Sequence, residues 1–415
     1  MRSTAPSPLH RRITPTGHRR AGDLCDTVPT IDASSTNELV MELFSAHRGM
    51  ISLAVIEDQR PIGLINRNIF LLQMSKPFHR ELYDKKSCIA FMDKEPLIVD
   101  EDMDIDTLTG RTIEYGEKAL TDGFIVTREN RFVGLGNGLS LMRAVAGIQA
   151  EKNRQTMQSI EYASVIQRAM LRAPSETLAA AAKDCALAWE PRDVVGGDFY
   201  HFSAHENGWF GAVADCTGHG VPGAFMTLIA SSALIKAIEQ LGPRDPAALL
   251  AAVNRSVKTL LSQVRDSVST PQSDDGLDAA FFWFDAQRRE LCFSGARIAM
   301  HILKPGQEQF EVLPGQRKGV GYIDSPADHV WTQSTTALPE GSLLFITTDG
   351  LTDQIGGPRQ IAFGKRRTAD IILAHRADPA TLICEKLQQA LAQWQNTGRE
   401  PQNRRDDLTL FFARI

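Results

Sequence analysis

Four aspartate sites stand where an apolar run meets a turn: Val194-Val-Gly-Gly-Asp198-Phe-Tyr, Ala212-Val-Ala-Asp215-Cys-Thr-Gly-His-Gly220, Phe345-Ile-Thr-Thr-Asp349-Gly350 and Arg405-Asp406-Asp407-Leu-Thr-Leu-Phe411. An aspartate at the end of an apolar strand places its carboxylate at a sheet edge. Neighbouring glycines permit the tight turn and the close approach of a ligand. Several such carboxylates gathered at one edge suit hard divalent cations, which prefer oxygen ligands. Taken singly, each site has a plainer reading: Asp-Gly is ordinary turn chemistry, and Asp-Asp before a strand is a solvated loop end. Four in one region, in this order, point instead to metal-assisted chemistry.

The elements that must position these acids lie between about residue 183 and the C-terminus. Helices are expected at 222–239, 246–264, 369–375 and 380–393. Strands are expected through 279–303, at 343–347 and at 408–412. Strands and helices are segregated rather than strictly alternating, which predicts an α+β domain with sheets sandwiched between helices. The polar stretch 262–278, with Pro271 and no aromatic residue, reads as a mobile loop that ends beside a motif.

Upstream, residues 30–145 read as two similar units. In the first, a helix capped by Ser34 or Ser35 leads to Ser52-Leu-Ala-Val-Ile56, a turn at Glu57–Pro61, Ile62–Ile65 and a helix over 67–74. In the second, a helical stretch over 104–118 leads to Gly123–Val126, a turn at Arg128–Arg131, Phe132–Leu135 and a helix over 139–148. The match of "AVIEDQRPIGLINR" with "FIVTRENRFVGLGN" is an internal repeat of about 70 residues. Residues 149–172 form an amphipathic helix whose apolar positions include Met157, Ile160, Ala163, Ile166 and Met170, and Pro174 is expected to end it. This helix is either a connector packed on a domain or a parallel dimer helix that carries a signal.

Composition narrows the class. The chain has 415 residues, 43% hydrophobic, with a net charge of -5, so a packed core is expected and neither nucleic acid nor an anionic membrane is favoured. The six cysteines lie far apart and form no C-x-x-C pair, which suggests neither a zinc knuckle nor a disulfide framework and fits a reducing, cytoplasmic setting. The longest apolar stretch, 225–238, is too short to span a bilayer and carries Lys236. The basic start, with Arg2, Arg11, Arg12, Arg19 and Arg20, lacks an apolar signal core and reads as a disordered tail over 1–29.

The strings "GGDFY", "ADCTGHGVPGAFMT", "TTDGLTD" and "DDLTLF" resemble the PPM/PP2C-type phosphatases, in their bacterial SpoIIE/RsbU-like branch. "YASVIQRAML" is similar to the helix that precedes such domains. The resemblance implies a PP2C-like α-β-β-α sandwich over 175–415, preceded by a linker helix over 149–174. It implies two Mn²⁺ or Mg²⁺ ions bridged by Asp215, with the Cys216 carbonyl completing one site. Asp349 and Asp406 would hold metal on one side, and Asp198 would orient metal-bound waters. Asp406, rather than Asp407, matches the family's metal position. Two ions about 3.5–4 Å apart would make hydroxide available near neutral pH for in-line attack on a phosphoserine or phosphothreonine. His219 is a candidate general acid or a helix-positioning residue. "GARIAMHIL" and "PGQRKGVGY" are similar to a subgroup acting on a small phosphorylated STAS-like anti-sigma-antagonist protein, with "SGARIAM" in place of the usual "AGHPP". Arg192, Arg404 and Arg405 are the only bases beside the four motifs, so the metal-free face is expected to be acidic.

The repeat over 30–148 resembles a tandem CBS-like α/β domain. Its nucleotide-binding registers hold Asn66/Ile69 and Gly136–Leu139 and lack the ribose-binding acid, which implies homodimerisation, together with the linker helix, or protein docking. Two other functions are weighed: a non-catalytic partner-switching scaffold on the same fold, and a cyclic-dinucleotide phosphodiesterase. The second would need His-rich metal motifs that the chain lacks.

Overall fold

The computed structural model describes residues 20–263, 273–398 and 400–415. It divides into two compact units, Met1–Gln155 and Thr156–Ile415. Residues 1–19 of the expected tail and 264–272 of the expected loop lie outside the described residues. The rest of the tail differs from expectation: Ala21–Leu24 forms a 3-10 turn, and β1 (Cys25–Asp26) pairs with a later strand. Ala21 is fully buried, so this segment contributes apolar area to the core.

The first unit carries the repeat. β2 (Thr30–Asp32) runs parallel to β3 (Ser52–Glu57) across α1 (Asn37–Ala46), and β3 pairs antiparallel with β4 (Arg60–Asn66), followed by α2 (Arg67–Met74) and the short α3 (His79–Tyr83). α1 starts just beyond the serines expected to cap it; Ser34 instead bonds the Asp32 carboxylate. In the second half β5 (Ile98–Asp100) runs parallel to β6 (Phe124–Arg128) across α4 (Ile105–Tyr115) and α5 (Glu117–Asp122). β6 pairs antiparallel with β7 (Arg131–Gly136), whose outer edge takes β1. The two hairpins share their irregularities, with register shifts at Val55/Ile56 and Val126/Thr127. Both turns hold two residues at positive φ, Asp58/Gln59 and Glu129/Asn130. Ala54, Leu64 and Ile125 form a buried cluster shared by both halves, as expected of units that cannot bury an apolar face alone.

α6 (Gly138–Ala181) merges the two helices expected on either side of residue 149 and continues through Pro174. A proline inside a helix costs about 3 kcal/mol. Leu171 and Leu178, on either side of it, are buried, and burying each contributes about 1.5–3 kcal/mol. Packing therefore overrides the local stop signal.

The second unit holds two antiparallel five-stranded sheets. The first has the order β15-β12-β11-β10-β9, formed by β9 (Asp198–His205), β10 (Gly208–Cys216), β11 (Leu277–Asp285), β12 (Glu290–Ala296) and β15 (Ser334–Ala337). The second has the order β14-β13-β16-β19-β8, from β8 (Asp184–Glu190), β13 (Met300–Leu303), β14 (Glu311–Leu313), β16 (Leu343–Thr347) and β19 (Leu408–Arg414). α7 (Gly220–Leu241) and α8 (Pro246–Leu260) cover the first sheet. α9 (Asp349–Thr352) is a single turn after β16, the two-residue strands β17 (Ile355–Gly356) and β18 (Ile361–Ala362) form a small hairpin, and α10 (Lys365–Ala374) and α11 (Ala380–Asn396) cover the second sheet. Period-two alternation explains the sandwich: Phe411 of β19 points to the inter-sheet core, stacking on Phe202 with ring centroids 5.2 Å apart, while Phe412 beside it faces α10 and α11. The α-β-β-α architecture is the one expected.

One helix exceeds its expected length. α7, 22 residues long, is long and apolar enough to cross a membrane, but its most apolar stretch is 50% buried. Ala230 and Leu234 on its inner face are fully buried in the core of the second unit.

Candidate metal centre

The first sheet aligns three carboxylates by register alone. Asp198 opens β9 and lies opposite Asp215 near the end of β10, which lies opposite Asp278 in β11. Residues directly opposite across antiparallel strands share a face, so the three side chains form a row at one sheet edge. The second sheet adds Asp349, which opens α9 after β16, and Asp406, which precedes β19, the strand paired with β16. The electrostatic neighbours of Asp215 are Asp198, Asp349, Asp406 and Asp278. The structure thus brings the four acids expected from the motifs together with a fifth.

A buried tie joins the sheets. Asp198 is fully buried, and its Oδ2 accepts hydrogen bonds from Thr348 Oγ1 and Thr409 Oγ1, each at 2.7 Å. Thr348 adjoins Asp349, and Thr409 lies just past Asp406–Asp407, so one carboxylate locates both second-sheet acids. Asp198 Oδ1 has no hydrogen-bond partner. Such an atom costs about 1–3 kcal/mol when left unsatisfied, more if charged. That cost marks a place meant for a water or ligand.

Asp407 has a different task from its neighbour. Its Oδ1 accepts from the Arg192 amide at 2.6 Å and its Oδ2 from the Gly197 amide at 2.5 Å. It is 2% exposed and anchors β19 to the loop before β9. Asp406 is partly exposed and accepts from the Asp407 amide at 2.9 Å. Gly350 allows these turns to meet: a Cβ there would lie 1.9 Å from the Asp407 carbonyl oxygen. Gly350→Ala should therefore destabilise the domain by about 1–3 kcal/mol, as overpacking does, read as a lower denaturant midpoint with an unchanged m-value.

The field of the site is strongly acidic. Burial, followed by the hydroxyl bonds and Asp407, leaves Asp198 titrating at about 7. Burial, then Asp198 and Asp349, raises Asp215 well above the usual carboxylate range. Partial burial and Asp406 push Asp349 to about 6, and burial raises Asp278 against the opposing pull of Arg297. Asp198, Asp215, Asp349 and Asp406 take part in none of the ion pairs among the described residues. Mutually repelling carboxylates with an unpartnered buried oxygen fit a divalent cation. Among the described residues no three His, Cys, Asp or Glu side chains close around one point. A cation that keeps several waters and takes one or two carboxylates, as Mg²⁺ does, needs no such cage.

Cys216 is buried at the end of β10, and burial, then Asp215, raises its thiol well above the usual range, so it is not a reactive thiolate. Its carbonyl oxygen lies close to Gly197, where a Cβ would approach to 2.9 Å. His219 precedes α7 but makes no capping bond with its side chain. Its Nδ1 instead pairs with Asp193 Oδ2 at 2.9 Å.

Several site residues escaped the motif reading. Asp278 is the second residue of an apolar strand that follows Gly276 and obeys the same strand-edge rule, so its signal was present. Thr348, Thr409 and Asp193 carry no local signal. The bases also differ from expectation: Arg297 and Lys365 line the cavity that contains Asp215, Asp278 and Asp349, and Arg297 Nη1 lies 3.3 Å from Asp278. Arg192 donates to the Arg405 carbonyl and Arg404 pairs with Glu190, so these two are structural.

In the first unit, Asn66 and Asn137 serve as helix caps. Asn66 Oδ1 accepts from the Ile69 amide and its Nδ2 donates to Asp122, while Asn137 Oδ1 accepts from the Ser140 amide.

An acid row shared by two sheets inside an α-β-β-α sandwich defines a PP2C-type phosphatase domain. The sequence model of the family described as stage II sporulation protein E (SpoIIE) matches residues 205–415, and the chain belongs to that family. Its structure is similar to the SiaA-PP2C domain of Pseudomonas aeruginosa, at 36% identity and a TM-score of 0.56, over 64% of this chain and 99% of that one. A PP2C phosphatase domain with a regulatory fragment of SpoIIE from Bacillus subtilis matches at 18% identity and a TM-score of 0.44, over 56% of this chain and 61% of that one. AcuB from Vibrio cholerae matches at 10% identity and a TM-score of 0.27, over 32% of this chain and 96% of that one. No curated protein matches the chain.

Proposed function

We propose that this chain is a metal-dependent protein phosphatase that hydrolyses phosphoserine or phosphothreonine on a small STAS-like, anti-sigma-antagonist-type partner in the cytoplasm. The observation that carries the reading is the acid row, where Asp198, Asp215 and Asp278 of one sheet stand with Asp349 and Asp406 of the other. Asp215, Asp349, Asp406 and the Cys216 carbonyl would hold two Mn²⁺ or Mg²⁺ ions. When bound, these ions supply charge neutralisation for the phosphoryl group and a nucleophilic water near neutral pH.

The chain's own residues do the rest. Asp198, fixed through Oδ2, offers Oδ1 to orient a water. Asp193 holds His219 by Nδ1, which leaves Nε2 to protonate the departing seryl or threonyl oxygen. His219→Ala should lower kcat on a phosphoserine protein by about 10²-fold, the scale of general acid catalysis. It should have far less effect on an aryl phosphate, whose leaving group needs no proton. Equal losses on both substrates would remove this role.

The test of the whole is phosphate release from a phosphorylated STAS-like protein with Mn²⁺, with and without chelator. Metal-dependent release supports the enzyme. A wild-type protein that binds the partner in manganese yet releases no phosphate is instead the partner-switching scaffold. The first unit and α6 are assigned to homodimerisation and control, on the strength of the exposed apolar side chains of Leu139, Met142, Val165 and Ile166 along α6.

A further inference from the structure

The acid row is not the whole floor of its cavity. Asp215 and Asp349 line one part of it, and Ile298, Phe310, Phe345 and Ile372 line another. These apolar residues come from the loop before β13, the approach to β14, β16 and α10, all within the second unit. The cavity measures about 170 Å³. Pockets for drug-sized molecules run to ~300–1,000 Å³, so a nucleotide or similar cofactor does not fit. An engineered apolar cavity of ~150 Å³ takes a benzene, so the apolar end of this space, beyond the acid row, holds at most one medium apolar side chain.

We propose that this cavity is the subsite for the residue beside the phosphorylated serine or threonine of the substrate, and that it selects a leucine-sized apolar side chain. The inference rests on the phosphatase reading. Successive residues lie 3.8 Å apart at Cα, so a phosphoryl group at the acid row leaves its chain neighbour within reach of the apolar wall. Arg297 and Lys365 line the same cavity beside Asp215, Asp278 and Asp349, and Arg297 is paired with Asp278, so the discrimination expected there is against burying a charge in an apolar wall rather than for one sign of charge. Arg297 is held in place: it has a left-handed φ of 64°, its guanidinium lies 4.5 Å from the Tyr322 ring centroid, and its Nε donates to the Arg317 carbonyl.

The experiment uses the full-length protein with Mn²⁺ and phosphothreonine peptides that differ only at the residue before or after the phosphothreonine, set to Leu, Ala or Lys. At one of the two positions kcat/KM should run Leu above Ala by about tenfold, the low end of discrimination by an apolar pocket, with Lys slowest. Ala369 lines the cavity from α10, and Ala369→Phe should shrink the Leu/Ala ratio to within about twofold. Thr352→Leu, which narrows the cavity from α9, serves if the first variant does not fold. Equal rates across the series at both positions, or a Leu preference that survives both variants, overturns the subsite while leaving the phosphatase intact. Hydrolysis of no peptide and no phosphoprotein overturns the phosphatase reading and this inference with it.

Discussion

Asp215→Asn should lower kcat/KM on any phosphomonoester by about 10³-fold or more while leaving the protein folded. Removing one neutral donor from an electrostatic site costs ~10²–10³-fold, and Asp215 is a charge that all the other acids of the row face. The same change relieves repulsion, because Asp215 titrates well above the usual range through burial and its neighbours. The metal-free variant should therefore melt at or above the wild-type temperature near pH 7. A phosphate-release assay with Mn²⁺ beside a melting curve checks both. A variant that keeps more than about a tenth of wild-type activity would show that chemistry does not run through this row.

The second large effect is a pH dependence of stability that manganese reverses. The unfolded carboxylates titrate near ~4. In the folded metal-free protein Asp198 titrates at about 7 and Asp349 at about 6, with burial the leading cause in both. Between these limits the folded chain holds protons that the unfolded chain has released. The contribution of these two groups to stability is therefore fully present below about pH 4 and is lost as pH rises through about 7. For Asp198 alone the loss is on the order of a few kcal/mol, equivalent to roughly 10 °C in Tm for a domain of this size. Asp198→Asn should flatten much of that fall, and the Tm gain from saturating Mn²⁺ should be larger at pH 7.5 than at pH 5.5, since metal and protons compete for the same oxygens. Metal-free melting temperatures that rise smoothly from pH 5 to 7.5 in the wild type would contradict this account of the site.

Local patterns carried much of this structure. The apolar runs at 343–347 and 408–412 were legible as strands, and the matching turns at 57–61 and 128–131 revealed the repeat, whereas the pairing of those strands in one sheet and the shared register shifts of the two hairpins came only with the structure. Asp198, Asp215 and Asp349 were visible because each meets an apolar run near glycine, and Asp406 because an acid pair precedes one, whereas Asp278 was passed over. Pro174 misled because propensity is a local term of about 3 kcal/mol, whereas Leu171 and Leu178 draw on a core formed by distant strands. The basic start misled for the same reason, since Cys25–Asp26 is held by β7 more than a hundred residues away.

By itself the order of residues determined which strands could form, which faces they would bury and which aspartates would end at an edge, because these follow from periods of two and 3.6 and from turn chemistry. Only the tertiary structure decided that Thr348 and Thr409 bolt Asp198 between the sheets, that Asp407 is an anchor while Asp406 remains available, and that Arg297 reaches Asp278. Those pairings join residues up to about two hundred positions apart. They arise from the register of one sheet and the stacking of two, which no local window of sequence contains.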